Sequence, residues 1–232
     1  MSKVTLQERN PAERLGRLAL SSGHRLPAGV VVLLHLVGLA GISYAPTRPL
    51  MLALTPVHLV LVSLLLLSAH PDAKLKLALY VAAAAIISLL AEALGVAQGW
   101  LFGTYYYGNV LGPKVLEVPL LIGINWAVLG YCAGGMVRHL AQPMAAKVAL
   151  GALLLVGFDA CMEPAARGLG FWHWPGGYVP GQNFLGWWLT GLPVLWLRLK
   201  LLPPAHNPLA AVVWWCQFGF FFVLSWFVFA DM

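Results

Sequence analysis

Three acids, Glu92, Asp159 and Glu163, stand inside otherwise apolar stretches that break into glycines and aromatic residues. Glu92 opens EALGVAQGWLFGTYYYG, ending at Gly108, and Asp159 opens DACMEPAARGLGFWHWPGGYVPGQNFLGWW, ending at Trp188. A charged side chain near the middle of a bilayer costs at least ~2.5 kcal/mol, so acids placed this way face a protected interior and have a job there. A carboxylic acid withdrawn from water keeps its proton more readily and becomes a general acid. Beside an ionised carboxylate it makes a donor and an acceptor in one pocket. Glu92, Asp159 and Glu163 could supply both roles. Trp100, Phe102, Tyr105, Tyr106, Tyr107, Phe171, Trp172, Trp174, Tyr178, Phe184, Trp187 and Trp188 crowd the same two runs. Aromatic faces stabilise a cation through their quadrupole, most strongly where water is excluded. An acid with aromatic faces around it is the equipment for protonating an alkene. Structural roles compete with this chemistry. Glu163 could pair with Arg167 one turn on, Glu92 could bond to Asn125 or Gln217 between helices, and the rings could form an interfacial belt.

Other chemistries fit less well. Membrane di-iron enzymes hold their metal with clustered histidines, whereas His35, His58, His70, His139, His173 and His206 are isolated in sequence. Only His173, between Trp172 and Trp174, sits where it could act. The last apolar run, from Pro208 onward, has no lysine for a retinal Schiff base. Cys132, Cys161 and Cys216 form no CxxC pair and read as packing residues, not as a disulfide framework or a zinc site. The chain contains no dinucleotide fingerprint or phosphate loop.

The elements that must position the acids are membrane helices. The chain has 232 residues, 60% hydrophobic and 9% charged, with a mean hydropathy of +0.81. A span needs ~20 apolar residues. Spans are expected at about Pro27 to Tyr44, Leu50 to Ala69, Leu75 to Ala97, Val118 to Val137, Met144 to Met162, Phe184 to Leu199 and Pro208 to Ala230. The fold class is therefore all-α, a polytopic membrane protein of about seven transmembrane helices. Residues 1–26 are expected to form a cytoplasmic tail, with Leu15, Leu18 and Leu20 on one side of an amphipathic helix or in an unstructured segment. Residues 27–232 form a single transmembrane domain. No cleavable signal peptide is expected in the polar, basic start of the chain.

Within the third span Ala84, Ser88 and Glu92 recur every four residues, and Gly95, Gly99 and Gly103 continue the interval, as close helix packing would require. Asp159 and Glu163 are also four apart, on one face of a helix expected to end near Pro164. With the N-terminus inside, Lys3, Arg9, Arg14, Arg17, Arg25, Lys74, Lys76, Arg138, Lys147, Arg198 and Lys200 are cytoplasmic, against only Arg48, Lys114 and Arg167 opposite. That asymmetry obeys the positive-inside rule. The net charge of +6 thus reports topology and anionic-lipid contact, not nucleic-acid binding. Both acid-bearing runs lead into the longer, outer connections.

The order of these residues resembles the membrane carotenoid hydratase family, which includes gamma-carotene 1′-hydratase and bisanhydrobacterioruberin hydratase. The likeness is carried by Glu92, Gly95, Gly99, Phe102, Gly103, Tyr105 and Tyr107. Val118-Pro119 with Trp126 follows, then Asp159, Glu163, Pro164 and Ala165, then Trp172 and Trp174, then Pro180, Asn183, Phe184, Gly186 and Trp187. It spans about residues 85 to 190, with Tyr178-Val179-Pro180 one residue tighter than the family pattern. The resemblance implies a cofactor-independent carotenoid 1,2-hydratase that adds water across the terminal double bond of an acyclic end group. Glu92 or Asp159 would donate the proton to carbon 2, and the partner acid, Glu163 or His173 would handle the water. Phe102, Tyr105, Tyr107, Trp126, Trp172, Trp174, Tyr178, Asn183, Phe184 and Trp187 would hold the substrate and the cation formed at carbon 1. No metal, flavin or nicotinamide is required. The partners implied are a carotenoid (lycopene, gamma-carotene or a related acyclic-ended carotenoid), membrane lipid and other carotenoid enzymes, with no nucleic acid. The location implied is a prokaryotic cytoplasmic membrane. A carotenoid cyclase, which also begins by protonation, and a non-catalytic lipid or carotenoid binding or transport protein are the alternatives.

Overall fold

A computed structural model of the protein describes residues 22–71, 74–202 and 207–228. Seven helices account for most of it: α1 (Ser22–Ser43), α2 (Arg48–Ser68), α3 (Lys74–Gln98), α4 (Leu120–Val137), α5 (Met144–Gly168), α6 (Gly181–Leu201) and α7 (Leu209–Val223), the last continuing as a π-helical turn, Leu224–Val228. The chain is an all-α polytopic membrane protein. Residues 1–21, which hold most of the expected tail with Leu15, Leu18 and Leu20, lie outside the described residues, as do Pro203, Pro204 and His206.

Among the described residues six helices are long and apolar enough to cross a membrane. The remaining one, α6, matches them in length but carries Gln182, Asn183, Thr190, Arg198 and Lys200. It packs against α3, α4 and α5, and Asn183, Thr190 and Arg198 are buried inside the bundle instead of meeting lipid. α4 is the central helix, enclosed by α3, α5, α6 and α7. Its Gly130 and Gly134 lie directly against Val194 and Arg198 of α6. On the outer surface Leu33, Leu36, Leu50, Leu64, Leu75, Ile86 and Leu90 are exposed, the apolar coat a bilayer requires.

Two expectations are corrected, one for the role of the glycines and one for a helix end. The glycine interval does not run along a packing face, because α3 stops at Gln98 and Gly99 takes a left-handed backbone, φ +68°. Gly95 instead leaves room for the Phe102 ring, which the turned-back loop lays against it. Nor does α5 end at Pro164; it continues to Gly168. Proline breaks the backbone ladder, and Ser225 repairs it. The Ser225 hydroxyl accepts from the Ala165 N–H at 3.0 Å and donates to the Cys161 carbonyl at 2.8 Å. A hydroxyl from a neighbouring helix is one of the few partners a freed backbone group finds inside a membrane. The extra turn carries the chain from Glu163 to the second loop without unwinding the acid-bearing face.

Two short antiparallel ribbons complete the fold. β1 (Tyr106–Tyr107) pairs with β4 (Trp172–His173), so that Tyr106 lies opposite His173 and Tyr107 opposite Trp172; β2 (Lys114–Val115) pairs with β3 (Val118–Pro119). The loops after α3 and α5, far apart in sequence, are thereby joined on one end of the bundle. The Gly108 N–H donates to the Phe171 carbonyl at 2.9 Å, and a Cβ at Gly108 would collide with the Gly170 carbonyl. Gly108→Ala is accordingly expected to separate the loops, read as faster proteolysis between Gly99 and Pro180. If the positive-inside reading holds, cysteines introduced near Lys114 and Arg167 label from outside intact cells, and one at Lys74 labels only after permeabilisation. The opposite pattern would invert the topology.

Candidate active site

Each acid is seated by a different part of the fold. Glu92 lies near the end of α3, and the loop that turns at Gly99 brings its tyrosines back over it. Extended backbone alternates its side chains, so Tyr105 and Tyr107 point inward while Tyr106 points out. The same alternation sends Trp172 and Trp174 inward and His173 outward. Paired across the ribbon, the inward sets from the two loops face the same space.

Glu92 is buried and receives three donors. The Tyr105 and Tyr107 hydroxyls donate to Oε2, Tyr107 at 2.8 Å, and the Trp126 indole N–H from α4 donates to Oε1 at 2.9 Å. Burial, and after it the adjacent Glu92, push both phenols well above their ordinary range, so they remain donors. Glu163, also buried, is held by two indoles: Trp172 Nε1 lies 3.2 and 3.1 Å from its two oxygens, and Trp174 Nε1 lies 3.1 Å from Oε2. Neither acid takes the partner that a purely structural role suggested. Glu92 bonds to the ring edges and not to Asn125 or Gln217, and the Arg167 guanidinium donates to the Gly177 carbonyl at 3.3 Å instead of pairing with Glu163.

Asp159 differs from both. Its Oδ2 accepts from the Asn183 side chain in the first turn of α6, while its Oδ1 is buried with no hydrogen-bond partner. A buried carboxyl oxygen without a partner costs stability, so its persistence needs a reason. Asp159 lines a cavity of about 70 Å³ together with Glu92, Glu163 and a shell of rings.

Of the substrate-binding residues expected from the sequence, Phe102, Tyr105, Tyr107, Trp126, Trp172, Trp174, Asn183 and Trp187 line this cavity. Trp126 and Trp187 stack at 4.3 Å, and Tyr105 leans on Trp174 at 5.2 Å. Three expected residues do not line it. His173 sits on the outward face of β4, its ring 5.1 Å from that of Tyr106, because strand alternation gives Trp172 the inner position. Tyr178 is exposed in the turn after Trp174. Phe184 follows Asn183 on α6 and is rotated away from the cavity by the helical step.

Apolar wall residues went unread in the sequence. Leu59, Leu111, Ile122, Leu129, Phe158, Met162 and Phe221 belong to the wall, as do the amides of Asn125 and Gln217. Most carry no chemical signal. Met162, however, lies three residues from Asp159, and helical periodicity alone would have put it on the acid face. Among the described residues no group of three or more His, Cys, Asp or Glu is placed to hold a metal ion.

The chain matches the carotenoid biosynthesis protein family over residues 49–232. It is also similar to the bisanhydrobacterioruberin hydratase of Haloarcula japonica, at 36% identity over 110 residues, covering 43% of this chain. The match spans 37% of that relative's own length. No solved structure matches the chain. With the family match running from α2 through the acid-bearing loops to the last helix, this chain belongs to the carotenoid biosynthesis protein family.

Proposed function

We propose that the protein is a carotenoid hydratase of a prokaryotic cytoplasmic membrane, adding water across the carbon 1 to carbon 2 double bond of an acyclic end group. The observation that carries this reading is Asp159, which lines a cavity walled by aromatic rings while its buried Oδ1 has no hydrogen-bond partner. In this reading Asp159 is the general acid. Protonation at carbon 2 leaves a tertiary cation at carbon 1 that methylene groups isolate from the polyene, so the protein itself must stabilise it. The Tyr105, Tyr107, Trp126, Trp172 and Trp174 rings are pinned by their polar edges to Glu92 and Glu163, which leaves the rest of each ring to line the cavity. Preorganised rings and fixed carboxylates stabilise developing positive charge without reorganising during the reaction.

Water then adds to carbon 1. Its oxygen forms the new bond, and its spare proton passes to Glu163, one helical turn from Asp159. Return of that proton to Asp159, directly or through solvent, resets the site. The reaction consumes one water and no electrons, and none of its steps calls for a metal, a flavin or a nicotinamide. Lycopene, gamma-carotene and fifty-carbon carotenoids with acyclic ends all present the required alkene. Association with other carotenoid enzymes would serve a substrate that does not leave the bilayer.

The direct test is conversion by purified protein in lipid, under nitrogen and without reductant, of a carotenoid bearing an acyclic end. The expected product is heavier by one water, takes its hydroxyl oxygen from solvent and, made in deuterated water, carries deuterium at carbon 2. Label from molecular oxygen would identify an oxygenase. A product isomeric with the substrate and bearing a new ring would identify a cyclase.

A further inference from the structure

Beside the acid-lined cavity lies a second one, of about 240 Å³, between α1, α2 and α7. The two share Leu59, Phe171, Gln217 and Phe221, so the same side chains wall both. On the far side the second cavity reaches Val37, Leu54, Val57 and Leu61, all exposed on the outer faces of α1 and α2 where the bilayer lies. Its polar side chains are few, His35, Thr55, His58 and Gln217, and His35 Nε2 is buried without a hydrogen-bond partner. His35 Nδ1 bonds to the Val31 carbonyl at 2.8 Å and sets its ring edge-on to His58, and the Thr55 hydroxyl donates to the Met51 carbonyl at 3.0 Å. No Asp, Glu, Lys or Arg lines it.

We propose that this second cavity is the binding subsite for the polyene chain, and that an acyclic-ended carotenoid enters end-first from the bilayer between α1 and α2. The inference rests on the hydratase reading and extends it from the reacting end to the rest of the substrate. The acid cavity holds less than a third of the volume of its neighbour and can take only the end group. A rigid hydrocarbon behind that end group needs an apolar way out, and the cavity that abuts the acids and ends among lipid-facing side chains provides one. Lipid tails are as apolar as this wall, so burial alone gives little selectivity; shape and close contact must provide it. A side chain that fills the space therefore acts by steric exclusion.

Gly38 on α1 lines this cavity, and a Cβ there would meet only the Phe220 ring at 3.5 Å, an ordinary contact. Gly38→Leu thus introduces its Cβ without a clash and adds bulk at the subsite. Gly29→Leu, about two and a half turns away on the opposite side of α1 with open space around it, is the control for adding a leucine to α1. In purified protein, Gly38→Leu is expected to raise the KM for the carotenoid by about tenfold, the scale of a steric misfit. Turnover of a short isoprenoid hydrocarbon with the same terminal alkene stays at the wild-type level, and Gly29→Leu changes neither. Binding read from the carotenoid's own visible absorption provides a second measure, independent of turnover, and is expected to weaken in Gly38→Leu alone. Wild-type KM and binding in Gly38→Leu, or equal losses on long and short substrates, would overturn the subsite. Failure of the wild type to hydrate while still binding carotenoid through Gly38 would instead remove the hydratase reading and leave the subsite standing.

Discussion

Asp159→Asn is expected to cut hydration severely while the protein remains folded in the membrane. The carboxamide keeps the size of the side chain, and its oxygen still accepts from Asn183. What it loses is the carboxylic proton of a side chain that lines the cavity. A positioned general acid contributes about 10² to 10⁴-fold, so kcat is expected to fall by that much, with KM for the carotenoid little changed. Glu163→Gln, which keeps one acceptor oxygen for the Trp172 and Trp174 indoles, should be the milder change, since solvent can still remove the water proton. Turnover of Asp159→Asn within a few-fold of wild type, measured as hydroxylated carotenoid per mole of protein, would sink the assignment of the acid.

The largest effect on stability is expected at Glu92. Glu92→Leu removes the acceptor of three donors at once. The two tyrosine hydroxyls can rotate to other partners, but an indole N–H only donates, so Trp126 is left buried and unpaired. An unsatisfied buried donor costs about 1 to 3 kcal/mol. With the loosened loop added, Glu92→Leu is expected to unfold in mild detergent about 2 to 4 kcal/mol more easily than wild type. Glu92→Gln should recover most of that loss. Its amide oxygen can face Trp126, and its amine can donate to the tyrosine hydroxyls once these turn to accept. It restores no charge, however, so its activity should stay low. The pair separates the two tasks of Glu92: holding the rings and facing the cation. Equal stability of Glu92→Leu and wild type in thermal unfolding would show that the three hydrogen bonds do not anchor the loop.

Composition and charge spacing were enough to read an all-α membrane protein, to place its helices, with ends off by as much as about six residues at α5, and to single out Glu92, Asp159 and Glu163. The physical reason is that the bilayer leaves helices as the choice for apolar runs of this length and makes every intramembrane acid conspicuous. Alternation along the two loops could also have been read, since W-x-W and Y-x-Y each put two rings on one side of an extended chain. Which side faced the acids was decided by the pairing of β1 with β4, a contact between loops more than sixty residues apart. That pairing is why Trp172 and Trp174 reach Glu163 while His173, the more reactive side chain, faces away. Tertiary structure alone decided three further points. Ser225 carries α5 past Pro164, Asn183 takes one oxygen of Asp159 and leaves the other free, and Leu59, Phe171, Gln217 and Phe221 join the acid cavity to an apolar one. Each depends on side chains from helices that are distant in sequence, and local pattern holds no record of which neighbour a helix face will meet.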